Sequence, residues 1–195
     1  GRYFLPLVLP VALVIGALVG AWWKKRRLLA MGALALILVY QAAGQITTAA
    51  SEPGFTTQFN LDTHIPNDQD AALITFLDGQ GITRGYSQYW ISFRLAFLTA
   101  ERVQLSAALP YLPSLRYTPM DERYPAYRAA VDAAENPALI VAETSPNVAV
   151  IGAALEAWLD ANEITCTREN IGMYRVYYAC SPVPRPPFVL ETPNS

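Results

Sequence analysis

Beyond the fourth residue of its one basic run, Lys24-Lys25-Arg26-Arg27, the chain has no lysine at all. From Ile46 onward nine arginines face sixteen acids, a net charge of −7. That balance excludes a nucleic-acid-binding footprint, which needs a basic surface. It also excludes broad electrostatic adhesion to anionic lipid. Histidine is nearly absent: His64 is the only one, with Asp62 two residues before it. A triad needs a histidine beside a placed nucleophile, and none is placed here, so His64 reads as an inert loop residue. Gly79, Gly81 and Gly85 form neither a dinucleotide fingerprint nor a phosphate loop, and no serine stands in a nucleophile elbow. Cys166 and Cys180 are the only cysteines, without metal-type spacing. Neither a metal nor another cofactor is expected.

The long apolar runs at the start organise what is present. Tyr3–Trp23 is about as long as a bilayer-crossing helix, roughly 20 residues. Leu28–Gly44 sits at the short end of that range, with a start within the basic turn as the alternative. The four cations between them predict a tight turn and two antiparallel spans, with Lys24, Lys25, Arg26 and Arg27 on the cytoplasmic side. Everything after Gln45 is then extracytoplasmic. Trp22 and Trp23 suit the membrane interface, and Pro6 and Pro10 are tolerable in a span whose neighbours satisfy the freed carbonyls. Gly16 and Gly20 form a small-xxx-small pair on which another helix can seat, of the same protein or of a partner; simple apolar filler is the equal alternative. The chain opens on Gly-Arg-Tyr without a signal-peptide pattern, which reads as the tail of a longer polypeptide.

The expected organisation is a transmembrane α-helical hairpin (1–45), a linker (46–66), an extracytoplasmic α/β domain with a mixed sheet (67–181) and an extended, weakly ordered proline-rich tail (182–195). Asn67 or Asp68 is expected to cap a helix carrying Ala71, Leu73, Ile74 and Leu77. Strands are expected at Ile82–Trp90, Val103–Leu109 and Ala138–Ala142, and helices at Ile91–Leu98, Tyr124–Ala134 and from Ser145-Pro146 to about Ala161. A hairpin of Ile164–Arg168 and Tyr174–Ala179 closes the domain. Its expected register sets Cys166 near Val176. Two separate buried thiols are then expected ahead of the alternative, a Cys166–Cys180 disulfide in an oxidising compartment.

The densest chemistry lies in Arg84-Gly85-Tyr86-Ser87-Gln88-Tyr89-Trp90 with Arg94. Rings to stack on and guanidinium forks suit a sugar or a lipid phosphate, so Arg84, Tyr86, Tyr89, Trp90 and Arg94 are the candidate ligand-binding residues. The competing expectation is that the aromatics fill the core while Arg94 pairs with an acid. Asp121-Glu122-Arg123 is expected in a solvated loop, because adjacent carboxylates point apart and acid–base pairs must converge. Tyr174, Tyr177 and Tyr178 read as sheet formers.

Arg2-Tyr3-Phe4-Leu5-Pro6-Leu7 followed by an apolar helix resembles the final spans of GT-C glycosyltransferases, specifically the family 39 protein-mannosyltransferase and aminoarabinose-transferase group. Gly85-Tyr86-Ser87-Gln88-Tyr89-Trp90-Ile91-Ser92-Phe93-Arg94-Leu95-Ala96-Phe97 with Glu101 is similar to extracytoplasmic tails of such bacterial membrane proteins. The resemblance implies an inverting transferase that uses a lipid-phosphate-linked sugar at the outer membrane face. The family's catalytic acids lie in an early outer loop outside this chain, so no catalytic residue carries over. These residues would form a non-catalytic tail shaping acceptor access or partner contact. The alternative is a small two-span accessory subunit of a membrane complex; a third is a sugar- or lipid-binding module using Tyr86, Tyr89, Trp90 and Arg94.

Overall fold

The computed structural model describes residues 5–51, 64–144 and 146–191, and divides into two compact units, Gly1–Phe59 and Asn60–Ser195. The greater part of the expected linker, together with Ser145 and the last four residues, lies outside the described residues.

The first unit holds helices α1 (Leu5–Lys25) and α2 (Arg27–Ala50). The basic run is not the loop that its charge suggests. Lys24 and Lys25 finish α1, Arg27 begins α2, and Arg26 alone breaks the helical path with φ −144° and ψ 64°. Lysine and arginine are good helix formers, so both helices extend into the run. Arg27 lies over the Trp23 ring, 5.1 Å from its centroid. Half-buried Ile15 and Val19 sit as many residues before Arg26 as Ile37 and Ala33 sit after it. That symmetry is the seam of two helices folded back on each other. Helix α2 continues past Gly44, where the sequence suggests an end. In this extension the Thr47 and Thr48 hydroxyls donate to the carbonyls of Ala43 and Gly44, each at 2.8 Å. Among the described residues one helix, Arg27–Ala50, is long and apolar enough to cross a membrane.

The second unit is a mixed five-stranded sheet of order β2-β1-β3-β5-β4 with helices on both faces. Its elements in order are α3 (Asp70–Gly79), β1 (Arg84–Tyr86), α4 (Tyr89–Leu98), β2 (Gln104–Ser106), α5 (Pro125–Asp132), β3 (Ala138–Ala142), α6 (Pro146–Ala161), β4 (Thr165–Ile171) and β5 (Tyr174–Ser181). Strands β1, β2 and β3 are parallel; β5 returns antiparallel to β3 and carries β4 outward. All five residues of β3 are buried, as a central strand covered on both faces requires. Its residues alternate between two cores. Leu139 and Val141 join Val148, Ile151, Leu155 and Val131 on one side. Ala138 and Ile140 join Leu73, Leu77, Ile91 and Leu95 on the other. Gly85 lets β1 approach β3, since a Cβ there would meet the Ala138 carbonyl oxygen at 2.5 Å.

Three expectations are corrected. The strand over Ile82–Trp90 shrinks to Arg84–Tyr86, and α4 takes Tyr89 and Trp90. Helix α3 starts at Asp70 after a turn in which the Asp70 amide bonds the Asn67 carbonyl, so neither Asn67 nor Asp68 caps it. The tail packs: Phe188 and Leu190 are buried in the first core while Val189 between them is exposed.

The closing hairpin corrects the register as well. A two-residue turn at Gly172–Met173 pairs Ile171 with Tyr174 and Glu169 with Val176. Cys166 would then face Ala179, but Ala179 takes φ 50° inside a β-bulge. The extra residue brings Cys180 across, and the two cysteines form a disulfide with Cα atoms 4.0 Å apart.

Candidate functional site

The five candidate ligand residues do not converge. Tyr86 is fully buried in the first core, where its hydroxyl donates to Asp132 Oδ1 at 2.6 Å and accepts from Arg185 at 3.3 Å. Arg185 also donates to the carbonyls of Val131 and Ala134, at 3.1 and 2.6 Å. The proline-rich segment is thereby tied to α5 and β1. Arg94 serves the other face. Its guanidinium donates to the carbonyls of Ile65 and Pro66, to Asp70 Oδ1 at 2.9 Å and to the Tyr174 hydroxyl at 2.6 Å. Tyr174 in turn donates to Asp70 at 2.6 Å. Arg84 ends on the backbone carbonyls of Thr83 and Arg102. The pairing of Arg94 with an acid is therefore what the geometry contains, and Arg94 and Tyr86 are braces on opposite sides of the sheet.

Sequence reasoning missed Asp70, Asp132 and Arg185 as partners, because each lies far along the chain from the residue it meets. It also missed a surface network: Arg175 bridges Glu143 at 2.5 Å and Glu156 at 3.2 Å, Arg168 reaches Glu156 at 2.5 Å, and Tyr177 donates to Glu156 at 3.0 Å. The adjacent acids Asp121 and Glu122 are expected in a solvated loop. Glu122 is no solvated loop residue, however: it accepts from Ser106 Oγ at 2.6 Å and its side chain is 12 % exposed. Burial raises the Asp121 carboxyl above its usual range, with Arg123 opposing.

The rings gather instead at the edge of the sheet beside β2, where α4 and α5 meet. Tyr89 touches Trp90 and Phe93 at 5.0 and 5.2 Å, Phe93 stacks on Tyr127 at 6.2 Å, and Tyr127 meets Tyr124 at 4.9 Å. Arg123 stands over the Tyr89 ring at 4.7 Å. Phe93, Ala96, Phe97, Ala100, Glu101 and Tyr127 line an open groove of about 470 Å³ here. Burial raises the Tyr127 phenol, and the Glu101 carboxylate hydrogen-bonded to it adds to the shift. A second cavity of about 440 Å³ lies beneath the packed tail, against Leu115, Tyr117, Arg128, Phe188 and Leu190.

No cluster of three or more histidine, cysteine or acidic side chains suited to a metal occurs among the described residues; His64 is half-buried. In the first unit, a Cβ on Gly16 or Gly20 would meet nothing within 4 Å, so both lie outside the α1–α2 seam.

Burial pushes the phenols of Tyr86 and Tyr177 up to about 12, with hydrogen bonds to Asp132 and Glu156 reinforcing the shift. An unfolded tyrosine titrates near 10. The folded state thus holds its protons more tightly, and the associated stability is complete below about pH 10 and lost as pH rises towards 12. With no lysine beyond Lys25, tyrosines dominate this window in the second unit. We expect denaturant stability to fall from pH 10 to 12, and the fall to be shallower in a Tyr86→Phe, Tyr177→Phe double variant. An equally steep fall in that variant would show that these phenols do not carry it.

No protein-family model, curated protein or solved structure matches this chain. The fold and site define an α/β/α domain with a mixed sheet, preceded by helices of which at least Arg27–Ala50 is compatible with membrane association.

Proposed function

We propose that the chain is the C-terminal, non-catalytic portion of a GT-C-type membrane glycosyltransferase, presenting its α/β domain at the outer membrane face. One observation carries the membrane part of this reading. From Leu9 to Ala50 only Ala30 is buried, and Leu9, Leu13, Leu28, Leu36, Val39 and Ile46 stand more than half exposed. An apolar surface of that extent needs lipid or partner helices around it. With α1 and α2 as two spans, the cations at their junction lie in the cytoplasm and the second unit lies outside. The Cys166–Cys180 disulfide is consistent with that compartment.

The transferase assignment rests on the Arg2–Leu7 opening and the Gly85–Phe97 stretch. The braces made by Tyr86 and Arg94 support a structural tail, since both side chains are occupied in holding the domain together. The donor would be a lipid-phosphate-linked sugar handled by residues outside this chain. Intact mass and N-terminal sequencing of the native polypeptide test the assignment. A chain several hundred residues longer, with carboxylates in an early outer loop, is the expected result. A native chain of about this size overturns it.

In that case the accessory-subunit reading leads, favoured by the open space over Gly16 and Gly20. Co-purification with a stable assembly that is lost on Gly16→Leu plus Gly20→Leu would support it; an unchanged assembly would refute it.

A further inference from the structure

The groove at the end of α4 is selective in what it can accept. Its walls are three rings, two alanines and one carboxylate, with no arginine or lysine. The only side-chain hydroxyl is that of Tyr127, which shares the groove with the Glu101 carboxylate. An anion would meet negative ring faces and a carboxylate. A neutral saccharide needs several donors as well as acceptors for its hydroxyls, and the walls hold one side-chain donor, the Tyr127 hydroxyl. A purely apolar occupant would strip water from Glu101 without replacing it. An organic cation satisfies both the rings and the carboxylate.

Two further observations agree. The same ring cluster already holds a cation, since Arg123 stands over Tyr89, whose ring touches Phe93. The backbone at the carboxylate is also strained. Helices α3 and α4 both end on an amide bonded five residues back, Ile82 to Leu77 and Glu101 to Ala96. In α3 the left-handed residue is Gly81, with φ 66°. In α4 it is Ala100 (φ 49°), followed by Glu101 (φ 62°), the one pair of successive non-glycine residues with positive φ among those described. A side chain disfavours this region of backbone space, and strain of this kind concentrates at ligand sites.

We propose that this groove binds an alkylammonium group, with Phe93, Phe97 and Tyr127 as an aromatic cage and Glu101 as its counter-charge. The groove's size falls in the range of small-molecule sites, about 300–1,000 Å³. The net charge of −7 beyond Ile46 favours the approach of a cation. This proposal does not depend on the transferase reading.

The test is calorimetric titration of the full chain, held in a maltoside detergent that carries no choline, with choline chloride and with its uncharged isostere 3,3-dimethylbutan-1-ol. Choline should bind saturably and the isostere about tenfold more weakly. Phe97 is 84 % exposed, so Phe97→Leu should preserve the fold and apolar contact while removing the ring. It should weaken choline several-fold, as should Glu101→Gln, with thermal unfolding unchanged. Equal binding of the isostere, choline binding unaffected by Phe97→Leu, or no saturable binding would each overturn the proposal. Phosphocholine distinguishes the sources of the cation. Binding as tight as choline's supports a lipid headgroup, and much weaker binding supports a free amine, the cage standing in either case.

Discussion

An Arg94→Leu variant is expected to lose about 3–5 kcal/mol of folding stability, the cost of removing one partner from a buried ion pair. The Asp70 side chain is 6 % exposed and that of Arg94 22 %. Leucine would leave the carboxylate with a single side-chain donor, the Tyr174 hydroxyl, where it now has two. It would also withdraw the guanidinium from the Ile65 and Pro66 carbonyls. These contacts fasten the segment entering α3 to α4 and β5 at once. Arg94→Lys should recover only part of the loss, since a point-like ammonium cannot span the acceptors that a planar fork reaches. Tyr174→Phe should cost about 1–3 kcal/mol through the lost hydrogen bond to Asp70. Urea unfolding of the full chain, followed by tryptophan fluorescence, measures all three. A loss below about 1 kcal/mol for Arg94→Leu would mean that water reaches Asp70 and that the pair is no brace. The same experiment separates the two expectations for Arg94, because a side chain held ready for a ligand would be replaced with little change in stability.

The legible parts of the fold were those whose signal is local. Ala138–Ala142 is a continuous apolar run and became the fully buried β3; Leu73 and Leu77 recur at helical spacing and face the core from α3. The basic run was legible as a junction but not as helix, because charge signals topology more clearly than it signals backbone. The tail did carry a sign of packing, the alternation of Phe188, Val189 and Leu190, but the prolines around it read more loudly as an extended segment. The hairpin register turned on Ala179, and nothing about an alanine advertises the positive φ of a bulge. The Arg-aromatic stretch was found as a stretch, and of its two readings the pairing of Arg94 with an acid is the one the geometry contains. Arg84 and Tyr86 lie on a strand and Arg94 on the following helix, so proximity in sequence became separation in space. Their true partners, Asp132 for Tyr86 and Tyr174 for Arg94, stand 46 and 80 residues away. The groove is the converse case. Phe93 and Phe97 stand four residues apart on α4, whereas Tyr127 reaches the groove only through the packing of α5 against α4.

Removing the disulfide, by reduction or by Cys166→Ala with Cys180→Ala, is expected to cost about 3 kcal/mol, the loop-closure value for a span near 15 residues; the separation here is 14. The cost should fall unevenly. Strand β4 is the sheet's outer strand on that side, and most of its residues are exposed. Little apolar burial holds it. The Arg168–Glu156 ion pair that reaches from β4 to α6 is 42 % and 36 % exposed on its two side chains, and a pair so open contributes at most about 1 kcal/mol. The covalent link therefore outweighs it. Cys180, by contrast, is buried with Tyr177 and Phe188, so one end of the link is anchored in the core and the other restrains the edge. Hydrogen exchange of the reduced chain should show protection lost first over Thr165–Ile171, with β1 and β3 still protected. Uniform loss across the sheet would mean that the bridge holds the whole core, and no loss would mean that backbone pairing suffices for β4. Local loss is also the result that ties stability to compartment. A domain whose edge strand depends on an oxidised pair keeps that edge only where thiols stay oxidised.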